Sequence, residues 1–214
     1  MPDYDEEQYD ADYFESGINS NYNGYIWRPE LLLPRIEAII KFIDIPSNAK
    51  ILDYGCAKGF YVKVFRELGY QADGIEISKY AISQAPEDMR EHLSHVRNRT
   101  LSSMNDLSYD LTIAKDVLEH LQENELIITL QELRRVSRQV LITVPVINNK
   151  GEYINVDDSL DKTHRLKYSR KEWLNILQTQ TSCDNLCLAL KGRKAVGTLC
   201  AIVTHNAPTK KSRL

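Results

Sequence analysis

The chain has 214 residues, 43% hydrophobic and 27% charged, with a net charge of −3 and a pI near 6.0. That length suits one domain with a sizeable core plus a short arm, and the slight acidic balance argues against a general nucleic-acid binder, which carries a basic surplus. No apolar run reaches the ~18 residues of a membrane span, the acidic start is not a signal peptide, and the four cysteines (Cys56, Cys183, Cys187, Cys200) lack the spacing of a zinc site, so reduced thiols in a cytoplasmic protein are expected.

Residues 1–28 are acidic and rich in aromatics (Tyr4, Tyr9, Tyr13, Phe14, Tyr22, Tyr25, Trp27). Such a segment has little to make a core of its own. It is either an arm that packs a few rings on the domain or a lid, with Tyr22 and Tyr25 the side chains expected to close over a ligand. The main domain is expected over 29–206, with a basic tail at 207–214. Its first helix reads Glu30 to Ile43 from the spacing of Leu32, Leu33, Ile36, Ile39, Ile40 and Ile43. Pro29 suits its first turn, and Pro34 moves the expected start later.

Strands are expected at 50–54, 71–77, 94–98, 109–114 and 139–144, and helices at 58–69, 78–85 and 123–137. Alternation of this kind predicts a parallel sheet covered on both faces. Ser78 is placed to cap the second of these helices. A further helix reads Arg170–Leu177, and two apolar strands, Leu186–Leu190 and Leu199–Val203, flank a hairpin loop at 191–197.

Two stretches carry the chemistry. Asp53-Tyr54-Gly55-Cys56-Ala57-Lys58-Gly59 turns from the first strand into a helix over small residues, leaving main-chain N–H groups open to a ligand. About twenty residues on, Glu76 ends the next strand, the spacing of a carboxylate that accepts from a ribose. Asp116-Val117-Leu118-Glu119-His120-Leu121 follows the fourth strand. In this order the three resemble the motifs of the class I S-adenosylmethionine (SAM)-dependent methyltransferases, over roughly residues 50–145.

The resemblance implies an α/β, Rossmann-like, doubly wound sheet of seven mostly parallel strands in the order 3-2-1-4-5-7-6, the last antiparallel, with SAM as cofactor. It implies that Asp53 orients the glycine loop and reaches the methionine amino group. Gly55, Cys56, Ala57 and Gly59 would form the loop, and Glu76 would hold the ribose. Ile77 and Ser78 would border the adenine, with Asn98, Arg99 or Thr100 at its edge, and Ala114 and Lys115 would border the sulfonium, chiefly through backbone. Two departures stand out: Ala57 replaces a glycine, which suits a negative φ, and no acid follows the third strand to meet the adenine edge. Lys58, beside a positive helix end, is expected to face solvent.

Downstream, Asp116 and Glu119 fit a capping box, and His120 fits either a packed ring or direct chemistry. The polar stretch 148–168 should overhang the acceptor, and its Asp161-Lys162-Thr163-His164 resembles small-molecule and sugar methyltransferases. Methyl transfer needs alignment, exclusion of water and one proton acceptor; His164 is the candidate base, oriented by Asp161, unless both only tie down the loop. No metal is expected, since Asp157, Asp158, Asp161 and His164 fit no template. The function expected is methylation of a hydroxyl or amine on a small molecule or saccharide. The alternatives are an RNA methyltransferase and a non-catalytic module of the same fold. An NAD-dependent oxidoreductase fits less well, because the loop lacks the full G-x-G-x-x-G.

Overall fold

Ile51 and Leu52 expose no surface, and the strand they form, β1 (Lys50–Tyr54), lies in the middle of the sheet. The computed structural model describes residues 6–43, 45–97, 100–181, 186–188 (as backbone) and 197–204. Its other strands are β2 (Gln71–Glu76), β3 (Leu93–His95), β4 (Tyr109–Lys115), β5 (Ser137–Pro145), β6 (Leu186–Leu188) and β7 (Thr198–Thr204). They form one seven-stranded sheet in the order β3-β2-β1-β4-β5-β7-β6. Every pairing is parallel except those of β7, which runs antiparallel to both β5 and β6. The expected order is therefore the observed one.

Among the described residues, five helices dress the faces: α1 (Pro29–Ile43), α2 (Phe60–Glu67), α3 (Lys79–Ser83), α4 (Glu123–Val136) and α5 (Arg170–Thr181). Side chains leave a strand on alternate faces, and the core divides accordingly. Leu52, Ile142 and Val144 join Leu126, Leu130, Leu133, Trp173 and Leu177 on one side. Ile51, Ile113 and Leu141 join Ile36, Val62 and Phe65 on the other. Burying each large apolar side chain contributes about 1.5–3 kcal/mol. Trp173 has no exposed surface and donates its indole N–H to the Pro145 carbonyl at 3.2 Å, which fixes α5 against the end of β5.

Helix ends follow local chemistry. Ser78 accepts from the Ala81 N–H at 2.9 Å, as its cap position predicts. α1 begins at Pro29 and carries Pro34 inside it; the expected later start was wrong, because a proline five residues in removes only a bond near the frayed end. α2 begins at Phe60 rather than at 58, because Gly59 is left-handed at φ 72°. β3 is shorter than expected. The loop 191–196, the tail 207–214 and the side chain of Cys187 lie outside the described residues, as do Asn98, Arg99 and Cys183.

β1 and β4 are adjacent, yet their connections leave toward opposite sides of the sheet. The crevice beyond their carboxyl ends is the switch point where α/β sheets take ligands. Two segments cover it. Residues 6–27 fold back through a π-helical turn (Asp12–Ser16) and a left-handed Gly17, where a Cβ would lie 2.2 Å from the Tyr22 carbonyl oxygen. Residues 148–168 return over the tip of β5, and Arg165 and Leu166 donate their N–H groups to the Glu119 carbonyl at 2.8 and 2.9 Å. Lys162 N–H donates to the Asn19 carbonyl at 2.9 Å, joining the two covers.

Candidate active site

The glycine turn is held by main chain. Gly55 and Cys56 donate their N–H groups to the Ile75 carbonyl at 2.9 and 3.1 Å, and Gly59 donates to the Cys56 carbonyl at 2.8 Å. Gly55 sits at φ 76° with Val117 2.5 Å from where a Cβ would be, so glycine is required there. Ala57 takes φ 49°. This contradicts the expected negative φ; an alanine in the left-handed region costs about 1–2 kcal/mol. Cys56 is buried against Gly74, whose Cβ would lie 2.6 Å from its sulfur. Burial drives that thiol well above its ordinary pKa, so it is inert packing.

Glu76 closes the turn. One of its oxygens accepts from the Ala57 N–H at 2.7 Å; the other accepts from the N–H groups of Ile77 (2.7 Å) and Ser78 (2.9 Å). Glu76 lines a cavity with Ile77 and Val96. Tyr9, Tyr13 and Phe14 roof this small chamber of about 80 Å³.

A larger cavity, about 370 Å³, adjoins it. Asp53, Tyr25, Lys115, Asp116, Glu119 and His164 line it among others, and Tyr13, Tyr22, Gly55, Ala57, Asp116 and His120 line both chambers. Asp53 is 6% exposed, and burial raises its pKa to about 7, with Lys115 opposing and Glu76 adding to the shift. Tyr25 stacks on Phe60 with centroids 5.1 Å apart. Ala114 is fully buried in the sheet and lines neither chamber, while Thr100 accepts from the Ser102 N–H at its own turn.

Several side chains depart from the expected arrangement. Lys58 does not face solvent: it is 5% exposed and pairs with Glu15 at 2.5 Å. That carboxylate offsets the unfavourable helix end and ties the N-terminal segment to the glycine turn. Asp116 is no helix cap; at φ 53° it pairs with the Lys115 ammonium and accepts from the Thr143 hydroxyl at 2.8 Å. The capping box belongs instead to Gln122 and Glu125. Burial alone would lower the Lys115 pKa, yet Asp116 holds it well above the ordinary value.

Glu119 is left in the interior with no exposed surface, and neither carboxylate oxygen has a hydrogen-bonding partner. Burial, then Asp116, pushes its pKa well up. His164 lies beside it, Nε2 to Oε1 3.9 Å, and 3.8 Å from Asp161 Oδ2; burial lowers its pKa, so the ring is neutral at pH 7. Asp161 itself accepts from the Tyr13 hydroxyl (2.8 Å), the Thr163 hydroxyl (2.6 Å) and the Thr163 N–H (2.9 Å). The expected Asp161–His164 hydrogen bond is thus not formed. Thr163, Tyr13 and Glu119 escaped the sequence reading as functional residues, although each lay in a stretch it singled out: the 161–164 loop, the aromatic arm and a motif that also fits a cap.

The methyltransferase-domain family model matches residues 26–181, well over half of the chain. The chain belongs to that family. With its sheet order it falls among the class I SAM-dependent methyltransferases, and SAM is its cofactor. Similar solved structures agree on the fold. A SAM-dependent methyltransferase from Archaeoglobus fulgidus is 15% identical with a TM-score of 0.63, over 83% of this chain and 95% of its own. A Pyrococcus horikoshii protein is 18% identical with a TM-score of 0.62, over 94% and 99%. A protein assigned to antibiotic biosynthesis in Anabaena variabilis is 20% identical with a TM-score of 0.57, over 73% and 64%. Comparison with curated sequences gives no match. Among the described residues no helix is long and apolar enough to cross a membrane.

Proposed function

We propose that this methyltransferase transfers the SAM methyl group to a hydroxyl or amine of a small molecule or saccharide. The observation that carries the reading is the pair of chambers sharing one wall at Gly55, Asp116 and His120. Glu76, in the wall of the smaller, would accept from the ribose hydroxyls, and the Asp53 carboxylate, in the wall of the larger, would take the methionine ammonium. Held by these two, SAM would supply a methyl group to an acceptor in the larger chamber.

When bound, SAM would supply a methyl group whose carbon–sulfur bond breaks as the bond to the acceptor oxygen or nitrogen forms, so that the sulfonium charge is neutralised. The site therefore aligns and dehydrates rather than stabilising new charge. His164, with Glu119 and His120, faces the acceptor chamber, and we assign activation of the acceptor to these three, with Asp161 positioning His120 through Thr163. The polar lining of an enclosed space of this size suits a small polar acceptor better than a duplex. Residues 6–28 act as a lid, a reading supported by the buried Tyr9, Tyr13 and Phe14, which line the donor chamber.

Calorimetric titration with S-adenosylhomocysteine, followed by mass-spectrometric detection of methylated products from panels of hydroxyl- and amine-bearing compounds, tests this. Saturable micromolar binding with turnover on a small polar acceptor is expected. Turnover only on RNA, with affinity falling steeply with salt, would replace the acceptor class; binding with no turnover on any panel would favour the non-catalytic module.

A further inference from the structure

We infer that Glu119, His120 and His164 form a binding site for a first-row divalent transition-metal ion at the acceptor end of the larger chamber. Each residue offers one ligand atom, and the three atoms lie within 4.8 Å of one another. Ligand atoms bound at about 2.1 Å to one ion stand about 3.0–3.4 Å apart at octahedral or tetrahedral angles. Side-chain closure of roughly 1–1.5 Å therefore brings the set onto one ion, and His164 Nε2 and Glu119 Oε1, 3.9 Å apart, need about half an ångström of it.

The independent observation is Glu119. A carboxylate with no exposed surface and two oxygens lacking any hydrogen-bonding partner is costly unless something positive satisfies it. No Lys or Arg pairs with it among the described residues. The His164 imidazole, 3.9 Å away, is too distant for a hydrogen bond. A cation between the three groups supplies the missing partner.

Hydrogen bonding behind His120 points the same way. Thr163 has one hydroxyl proton, which it donates to Asp161 Oδ1 at 2.6 Å. Its oxygen must then accept from His120 Nδ1 across their 2.8 Å contact. This fixes the tautomer and leaves the Nε2 lone pair as the ligand. A carboxylate–hydroxyl–imidazole relay of this kind is how proteins orient metal-bound histidines. Two imidazoles with one carboxylate suit zinc, iron, cobalt or manganese better than magnesium or calcium, which prefer all-oxygen sets.

The sequence-based expectation of no metal considered only the acids of 157–161 with His164, and missed that the fold brings His164 to Glu119 and His120. Only three protein ligands are supplied, so positions remain open toward the chamber. An acceptor oxygen bound there would be oriented and made more acidic. That role rests on the proposed methyl transfer; the ion site itself does not.

The test uses the full chain, stripped by chelator and titrated with Co²⁺ and Mn²⁺ by equilibrium dialysis and optical absorption. One ion per chain is expected, with ligand-field bands of nitrogen and oxygen donors. Glu119→Gln and His164→Ala should each weaken binding at least tenfold, whereas Asp157→Asn, an exposed acid of the same segment, should not. Thermal melts and S-adenosylhomocysteine titration show whether each variant is folded. Absence of saturable binding, a thiolate-to-cobalt band indicating a cysteine site, or unchanged affinity in a folded Glu119→Gln would overturn the inference. Ion binding that persists where S-adenosylhomocysteine fails to bind would uphold the ion site and reject the donor assignment instead.

Discussion

The donor chamber and the acceptor chamber share a wall but are built from different material. The donor side is mostly main chain: Gly55 and Cys56 on the Ile75 carbonyl, and Ala57, Ile77 and Ser78 on the Glu76 carboxylate. The acceptor side is mostly side chain, converging from three distant segments through Tyr13, Asp161, Thr163, His120 and His164. A site made of main chain depends on φ angles and close approach, which single residues such as glycine record. One made of converging side chains depends on tertiary structure, which they do not. Substitutions should therefore separate the two sides.

The largest effect is expected at Gly55. Gly55→Ala combines a left-handed φ with a Cβ 2.5 Å from Val117, and should destabilise the fold by about 1–3 kcal/mol while lowering S-adenosylhomocysteine affinity more than a hundredfold. Gly151 lies on the acceptor side at φ 79° with nothing within 4 Å of its Cβ. Gly151→Ala should carry only the backbone cost, about 1 kcal/mol, and leave cofactor affinity intact. Urea unfolding and calorimetry read both; equal loss of binding in the two variants would end the distinction.

Next comes Glu76→Gln. The amide cannot accept at every site that the carboxylate fills, and charge-assisted hydrogen bonds contribute about 1.5–3 kcal/mol. Cofactor affinity should fall about 10- to 100-fold, whereas metal affinity at the acceptor side should not change. A variant that loses neither would place the nucleoside elsewhere.

Asp53 makes the comparison depend on pH. Its folded pKa is about 7 against an ordinary 3.8, so the folded chain holds a proton that the unfolded chain has released. The stability it contributes is full below pH 4 and is lost as pH rises to about 7, by something on the order of 1–4 kcal/mol. An ammonium bound beside Asp53 favours the ionised form, so S-adenosylhomocysteine should bind more tightly at pH 8 than at pH 6, by up to about tenfold. Asp53→Asn should raise the stability of the free protein at pH 8 and flatten the binding profile. Calorimetry across that range decides it.

The same division explains what could be read in the sequence. The strand positions, the Gly55–Gly59 turn and the position of Glu76 follow from apolar runs and spacing, which are local, whereas the strand order came with the family resemblance. Ser78 as a cap is equally local. The handedness of Ala57 was not legible, because its φ is imposed by Glu76 drawing its N–H from 19 residues away. Asp116 and Glu119 fit a capping template, and only the fold shows Asp116 turned to Lys115 and Glu119 turned inward. Lys58 was misread because Glu15, 43 positions earlier, supplies the charge that lets it be buried.

That contact gives the smallest predicted effect. Lys58 is 7% exposed at its side chain but Glu15 is 39% exposed, so solvent screens much of the attraction, and such pairs contribute about 0–1 kcal/mol. Lys58→Met keeps the buried stem and removes the charge. Global stability should change by less than about 1 kcal/mol. Its consequence is local: Glu15 also accepts from Tyr80 at 3.0 Å, and the pair anchors the turn that carries Tyr13 and Phe14 over the donor chamber. Amide exchange over residues 6–25 should quicken and S-adenosylhomocysteine should dissociate faster, with little change in exchange at 148–168. Faster exchange in both covers would mean that the Lys162–Asn19 link, rather than the glycine turn, sets the stability of the roof.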